Sequence, residues 1–316
     1  MVTFFNTIDD KLVEIDSPEK GCWISMVHPD EEEVQRIAQQ TGADFDMLKA
    51  PLDPEERARI DAEDNTSLIL VDIPTIEMEG KDFVYSTIPL GILTTENHLI
   101  TVCLKDSHIM RDFAQNHVKG FFTYKKTRFI LQILYRNASR YLQYLRQIDK
   151  KTNAIETELQ RTLRNQELMQ LMRLEKSLVF FATSLKSNEI VLEKLLRSDL
   201  IRRFPDDEDL LEDVIIENKQ AIEMANIYSG VLANMTDAFA SIVSNNLNNV
   251  MRIFTIISIT LSIPTLIFSM YGMNFQEGML GMPLTDKPWG FAVIIGISLV
   301  LSAIVTWFLT RSRMFK

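Results

Sequence analysis

The sequence predicts a mixed α/β domain with long helices, followed by two transmembrane helices near the C-terminus. Residues 254–271 and 291–310 contain no charged side chain. Counted from Met251, the first run has about the 20 residues that a helix needs to cross a bilayer core. Residues 125–203 contain neither proline nor glycine, which is typical of long helices. Short apolar runs before residue 120 are typical of strands.

The N-terminal region, residues 1–120, is predicted to be a cytosolic α/β domain. Strands are expected at 22–27, 67–73, 88–94 and 98–104. A helix should begin near His28-Pro29-Asp30 and continue to about residue 40, because proline and acidic residues suit a first turn. Cys22 and Cys103 fall in predicted strands without metal-binding spacing, so buried reduced thiols are expected.

The middle of the chain is predicted to be helical throughout. Residues 121–205 should form long antiparallel helices, since apolar residues recur at steps of three and four. Phe204-Pro205 interrupts this pattern, and no proline follows until Pro264. One helix of about 65 residues is therefore expected from Glu208, about 100 Å long at 1.5 Å per residue. Residues 206–250 would form its stalk and 251–271 its membrane span.

The ends of the two spans predict the orientation of the chain. Residues 272–290 would be an extracytoplasmic loop, 291–310 the second span and 311–316 a basic cytosolic tail. Basic residues flank the spans and the N-terminus lacks the pattern of a signal peptide, so both termini are expected in the cytoplasm. The alternative is two buried core helices of a soluble protein. The flanking basic residues are Arg252, Arg311, Arg313 and Lys316.

Composition limits the function classes. The net charge of −10 argues against a nucleic-acid partner. The sequence contains no nucleotide-binding loop, metal-hydrolase motif or nucleophile signature, so an enzyme is not expected. An excess of carboxylates in a membrane protein suggests cation handling, although it also serves simply to keep the domain soluble.

A polar stripe runs along the predicted long helix and continues into the membrane. Its members follow alternating steps of four and three residues, and a repeat of 3.5 keeps one face towards a common axis. Small hydroxyls around such an axis leave room for a narrow wet pore. The alternative is that these hydroxyls bond to their own backbone or join helices. The stripe consists of Asp237, Ser241, Ser244, Asn248, Met251, Thr255, Ser258, Ser262, Thr265 and Ser269.

Gly272-Met273-Asn274 lies where the first span ends and is the candidate selectivity filter. Glycine permits unusual backbone geometry at a helix end. Two spans cannot enclose a pore alone, so an oligomer would be needed, and its Asn274 side chains would form a ring of amide oxygens. Mg²⁺ dehydrates reluctantly, and neutral amides can hydrogen-bond its water shell without removing it. Conduction also needs weak binding at several sites.

These features resemble the CorA family of magnesium channels, over the whole architecture and most specifically in residues 271–275. The resemblance implies a homopentamer with a funnel-shaped cytosolic assembly that passes Mg²⁺, and often Co²⁺ and Ni²⁺, down the membrane potential. Counted back without gaps, Asp237, Asn248, Thr265 and Asn274 match the pore positions of the family.

The resemblance also implies regulatory Mg²⁺ bound by carboxylates between subunits. Asp213 matches the stalk position, and Asp46 is its expected partner across the interface. Asp213 ends a run, 206–213, with six carboxylates in eight residues. The alternative for this run is an acidic helix N-terminus that faces water.

Two departures from the family pattern concern the membrane surfaces. Leu284 follows Met282-Pro283 where the family often has an acidic residue, so Glu277 is the candidate for attracting cations to the outer mouth. The basic tail is sparse; it is expected either to contact lipid headgroups or to form a ring of basic residues near the pore exit.

Two other functions remain open from the sequence. A zinc transporter resembling ZntB is the nearer one, although the four histidines show no zinc-ligand spacing. A membrane-anchored structural or signalling protein without transport is the other, but it gives no reason for a polar stripe.

Overall fold

The computed structural model describes residues 1–63, 66–79, 82–162, 165–197, 205–273 and 288–311. The chain divides into two compact units, Met1–Thr236 and Asp237–Lys316. The long helix that the sequence predicts belongs to both units.

The first unit contains a seven-stranded sheet with the order β2-β1-β3-β7-β6-β5-β4. Neighbouring strands are antiparallel except for β3 and β7, which are parallel. A parallel pair needs a crossover connection, and here it includes two short helices and the β4–β6 meander. The strands are β1 Val2–Ile8, β2 Lys11–Ile15, β3 Trp23–Val27, β4 Arg59–Glu63, β5 Thr66–Glu79, β6 Asp82–Thr94 and β7 Leu99–Cys103.

One face of the sheet is covered by helices α1 (Glu31–Thr41) and α2 (Phe45–Lys49). The side chains of Ile24 and Ile100 point to this face and pack in one core with Ile37 and Leu48. Helix α1 begins one residue later than predicted, since Asp30 is its N-cap and accepts a hydrogen bond from the backbone of Glu33. Such a cap satisfies a backbone N–H that has no partner within the helix.

The opposite face of the sheet is covered by helices α3 to α6. Side chains alternate along a strand, so Trp23 points away from its neighbour Ile24 and packs against Phe129 of α4, in a core that also contains Leu211 of α6. The indole N–H of Trp23 donates to the Thr101 hydroxyl at 2.9 Å. The helices are α3 His108–Ala114, α4 Lys126–Thr162, α5 Asn165–Arg197 and α6 Pro205–Tyr271.

Strand β4 does not extend as far as Asp72, which lies in the middle of β5. Register pairs Leu70 with Arg59, the first residue of β4, so within the described residues no strand lies beside Asp72 on that edge. The carboxamide of Asn188 on α5 takes its place. It accepts from the Asp72 N–H and donates to the Asp72 carbonyl, both at 2.8 Å. Burial raises the pKa of the Asp72 carboxyl, and a hydrogen bond from Ser184 partly offsets this rise.

The predicted helices are confirmed, with small differences at their ends. Helix α6 has 67 residues and starts at Pro205 rather than Glu208, because the fixed φ of proline suits the first helical position. It continues through Pro264 to Tyr271. Helix α7, Gly290–Arg311, extends the predicted second span by one residue at each end. Within the described residues, these two helices are long and apolar enough to cross a membrane by length and composition.

The strand predictions were incomplete. β1, β2 and β4 were missed, because their residues are mostly half-buried or exposed and carry no regular alternation. β5 and β6 are longer than predicted, since their pairing continues to Glu79 and Asp82 as a hairpin that mixes polar and apolar residues.

Both cysteines are free and buried, as predicted, although Cys22 precedes β3 by one residue. Burial raises the pKa of both thiols, that of Cys103 to about 11.

Candidate functional site

The polar stripe lies on an exposed face of α6. All ten stripe residues, from Asp237 to Ser269, are exposed in the single chain. At about 100° per residue, Ser258, Ser262, Thr265 and Ser269 point roughly 140° to 180° around the helix axis from Thr260. The stripe therefore occupies the side of the helix that is opposite to Thr260.

Thr260 is the position at which α7 contacts α6. Its hydroxyl lies 2.7 Å from the hydroxyl of Thr306. Ser302 of α7 donates to the Thr260 carbonyl at 3.4 Å, and both Ser302 and Ser298 are buried. Small residues with hydroxyls let membrane helices approach closely and hydrogen-bond. The hydroxyls that join the two helices are thus a different set from those of the stripe.

The stripe hydroxyls bond to their own helix in the single chain. Thr255 donates to the carbonyl of Met251 at 2.8 Å, Ser262 to Ser258 at 2.7 Å, and Thr265 to Leu261 at 2.9 Å. This is the local bonding that the alternative interpretation of the stripe expected. It uses the hydroxyl hydrogen and leaves oxygen lone pairs available, so the exposed face presents acceptors to whatever lies beside it.

The candidate filter begins where α6 ends. The Gly272 N–H donates to the Phe268 carbonyl at 2.9 Å, and the Met273 N–H reaches the Met270 carbonyl at 3.3 Å. Gly272 does not have a left-handed φ, and a Cβ there would meet ordinary contacts at 3.5 Å or more. The conformational freedom that glycine permits is therefore not used at Gly272 in the single chain. Asn274 and Glu277 lie outside the described residues.

The two candidate regulatory carboxylates are not brought together within one chain. Asp46 is exposed on α2, and Asp213 is exposed on α6. Their neighbours Leu48 and Val214 pack into cores on opposite faces of the sheet. Within the described part of the chain, no group of three or more His, Cys, Asp or Glu side chains could hold a metal ion. An ion bridging Asp46 and Asp213 therefore has to lie between two copies.

The carboxylates of the acidic run before Asp213 differ in burial and in their partners. Asp207 is almost fully buried and lies 3.7 Å from the guanidinium of Arg128 on α4. Glu208, Asp209 and Glu212 are exposed. At least one carboxylate of the run therefore packs inside its own chain, which separates it from the exposed Asp213.

Sequence reasoning missed the contact that holds α7 against α6. A signal was present, because hydroxyl residues recur at steps of four along the second span, at Ser298, Ser302, Thr306 and Thr310. Steps of four place side chains on one face of a helix. A second feature, a cavity lined by basic residues of α4, gave no sequence signal, because its members come from separate segments.

Comparisons with known proteins agree with this architecture. A family model described as CorA-like Mg²⁺ transporter protein matches residues 18–311. The cobalt/magnesium transport protein CorA of Methanocaldococcus jannaschii is 26% identical over 315 residues, covering 96% of this chain and 95% of that relative.

Solved structures extend the likeness to the fold. The complete structure of the CorA magnesium transporter from M. jannaschii superimposes with a TM-score of 0.83 at 23% identity, covering 99% of this chain and 98% of that one. The cytoplasmic domain of ZntB from Vibrio parahaemolyticus gives a TM-score of 0.60 at 12% identity, covering 77% of this chain and 98% of that one. The fold of that part of the chain is therefore shared with a ZntB protein.

Proposed function

The chain belongs to the CorA family, and on that premise we propose that it is a homopentameric channel that carries Mg²⁺ across the cytoplasmic membrane. Co²⁺ and Ni²⁺ are further expected cargo. The proposal is supported by the family match over residues 18–311 and by a relative named as a cobalt/magnesium transport protein.

The observation that carries the proposal is the position of the polar stripe. Helix α7 contacts the Thr260 side of α6, and the stripe from Asp237 to Ser269 lies on the other side. An exposed row of hydroxyl and amide groups inside a bilayer is costly unless it meets water or a protein partner. Several copies of α6 arranged around an axis, with α7 outside, would place every stripe on a shared wet path. Asp237 and Asn248 would line its cytosolic entrance.

Selectivity is assigned to Gly272, Met273 and Asn274 at the outer end of this path. A ring of Asn274 amides would hydrogen-bond the water shell of Mg²⁺ without stripping it. Residues 238–273, which include the whole first span, contain no carboxylate, so no strong negative charge holds the ion there. Conduction requires sites from which the ion can leave. Glu277 would raise the local cation concentration at the outer mouth.

Gating is assigned to Mg²⁺ bound between Asp213 of one copy and Asp46 of the next. Two exposed carboxylates from different copies repel each other when the site is empty. A divalent ion bridges them and so stabilises the arrangement in which they are close. The ion acts here as a regulator as well as the cargo, and high internal Mg²⁺ would close the channel.

The orientation follows from the flanking charges. Arg252 precedes the apolar part of α6 and Arg311 ends α7. Positive residues favour the cytoplasmic side, so both termini are assigned to the cytoplasm. The basic tail after Arg311 would contact anionic lipid headgroups.

The test is ion uptake into proteoliposomes that contain the purified protein and hold a negative-inside potential. Mg²⁺ entry that saturates as internal Mg²⁺ rises would support the channel and its feedback together. Zn²⁺ is run in parallel, with and without a pH gradient. Zn²⁺ entry that follows the proton gradient, with little Mg²⁺ entry, would assign the chain to zinc transport instead.

The Asn274→Ala variant tests the filter. We expect it to lose Mg²⁺ uptake while size-exclusion chromatography still shows the oligomer, because only the amide ring is removed. Wild-type uptake and ion preference in this variant would contradict the assignment. Complete loss of the oligomer would move Asn274 to an assembly role.

A further inference from the structure

A cavity of about 360 Å³ in the first unit is lined by basic side chains. Its wall is one face of α4, with Arg128, Gln132 and Arg136 at successive steps of four residues. Lys119, in the segment between α3 and α4, and Leu210 of α6 also line it. We call this the basic cavity.

Within the described residues, the basic cavity holds more positive charge than its carboxylate partners offset. No carboxylate is among its described lining residues, although the chain as a whole carries a net charge of −10. Arg128 has Asp207 at 3.7 Å. Within the described residues, no Asp or Glu oxygen lies within 4.0 Å of Lys119 or Arg136. By contrast Arg140, one turn further along α4, is paired with Asp112 at 3.1 Å.

The donors of the basic cavity are held in place by their surroundings. Arg128 and Arg136 are only partly exposed, and the buried Val118 supports the segment beside them. The Gln132 side chain donates to the Lys119 carbonyl at 3.3 Å, which ties this segment to α4. Like charges that converge in a partly buried concavity repel each other, and an anion relieves that repulsion.

We propose that the basic cavity binds a small phosphate-bearing anion. Arginine presents a rigid fork of N–H donors that matches phosphate oxygens bidentately, and lysine adds a point charge. Tyr135 also lines the cavity and supplies a hydroxyl donor. A volume of about 360 Å³ lies at the lower end of the range typical of small-molecule sites. The phosphate groups come either from an inorganic ion or from the phosphate chain of a nucleotide.

A ligand bound in the basic cavity can affect the first turns of α6, because the cavity shares residues with that helix and its contacts. Arg128 is shared between the cavity and the buried Asp207, the third residue of α6. A phosphate that takes hydrogen bonds from Arg128 competes with Asp207 for the same guanidinium. Leu210, one turn further on, contacts the ligand space directly.

The experiment is isothermal titration calorimetry on the full-length protein in detergent, in Mg²⁺-free buffer at constant ionic strength. The probes are pyrophosphate and ADP, with sodium sulfate as the charge control. We expect saturable binding of at least one phosphate probe with a Kd below about 1 mM. Arg136→Gln should weaken it at least tenfold, which corresponds to about 1.4 kcal/mol. Arg36→Gln, an exposed arginine on α1, is the matched control and should bind as the wild type does.

The two probes distinguish the source of the phosphate. Tighter binding of ADP assigns the site to a nucleotide, and tighter binding of pyrophosphate assigns it to an inorganic ion. No saturable binding of either probe, binding equal to that of sulfate, or unchanged affinity in Arg136→Gln would overturn the proposal.

A folding control and a second variant are included in case Arg136→Gln does not fold. Circular dichroism and chromatography report folding, and Lys119→Gln replaces Arg136→Gln if the latter aggregates. If the wild type does not bind phosphate and a cavity variant loses the oligomer, the proposal is overturned. The cavity would then bind carboxylates of a second copy instead. Calorimetry requires no transport, so failure here leaves the uptake result unaffected.

Discussion

A cysteine pair at the two candidate regulatory positions tests the gate directly. In one chain Asp46 and Asp213 belong to helices on opposite faces of the sheet. Each packed layer lies roughly 10 Å from the next, so the two positions are about 20 Å apart through the sheet. A disulfide requires Cα atoms within about 7 Å. The double variant Asp46→Cys/Asp213→Cys therefore cannot close a bridge within one chain without unfolding.

Between copies in a closed ring, the same double variant should cross-link. Each chain then offers one thiol to each neighbour, so mild oxidation should produce a ladder of bands up to the full oligomer on a non-reducing gel. Either single variant can give at most a dimer. The native thiols should not interfere, because Cys22 and Cys103 are buried with raised pKa values and the thiolate is the reactive form.

The outcome of the oxidation separates the possibilities. The closed state brings the two positions together, so the ladder of cross-linked bands should be stronger when the channel is closed. Such a ladder would support the site between copies. An intramolecular bridge, seen as a faster monomer band without higher species, would refute the reasoning. So would a folded, oligomeric double variant that gives no cross-link under oxidation.

Three further predictions concern the described residues. Asn188→Leu leaves the partly buried Asp72 N–H without its acceptor and should cost about 2 kcal/mol of unfolding free energy; an unchanged midpoint in chemical denaturation would contradict this, and Lys186→Ala, at an exposed position two residues earlier on α5, is its control. Asp72→Asn should flatten the pH dependence of thermal stability, because a carboxyl with a raised folded pKa costs stability as pH rises from about 4, its ordinary value, through the raised one; a gap in melting temperature that is constant with pH would contradict this. Ser262→Phe should abolish Mg²⁺ uptake by filling the pore axis, whereas Leu299→Phe on the exposed side of α7 should retain it; equal uptake by both variants would remove Ser262 from the pore.

The helical part of the fold was readable because its signals are local. A charge-free run of about 20 residues, an uninterrupted helix and a repeat of 3.5 are properties of one segment. α6 and α7 were therefore placed to within a few residues, and α4 and α5 lie within the predicted helical region 121–205, for which no internal boundary was predicted. The missed strands β1, β2 and β4 lie towards the edges of the sheet, where exposure removes the apolar alternation that identifies a strand.

Part of the candidate site could also be predicted, because its spacing is a property of a single segment. The stripe from Asp237 to Ser269 could be identified from spacing, and its ten residues are exposed in the single chain; that they line a pore stays a prediction. The sequence could not decide which hydroxyls join the two spans. That choice depends on the contact between Thr260 and Thr306, which are 46 residues apart.

By itself, the sequence determined that two spans end this chain, that a polar stripe runs into the first, and that Gly272-Met273-Asn274 follows it. Only the tertiary structure decided that α7 covers the side of α6 away from the stripe, and that Asp46 and Asp213 lie on opposite faces of one sheet. It alone placed Lys119 of one segment beside Arg128 and Arg136 of another. The physical reason is that packing joins residues far apart in the chain, and such contacts leave no periodic pattern in the order of amino acids.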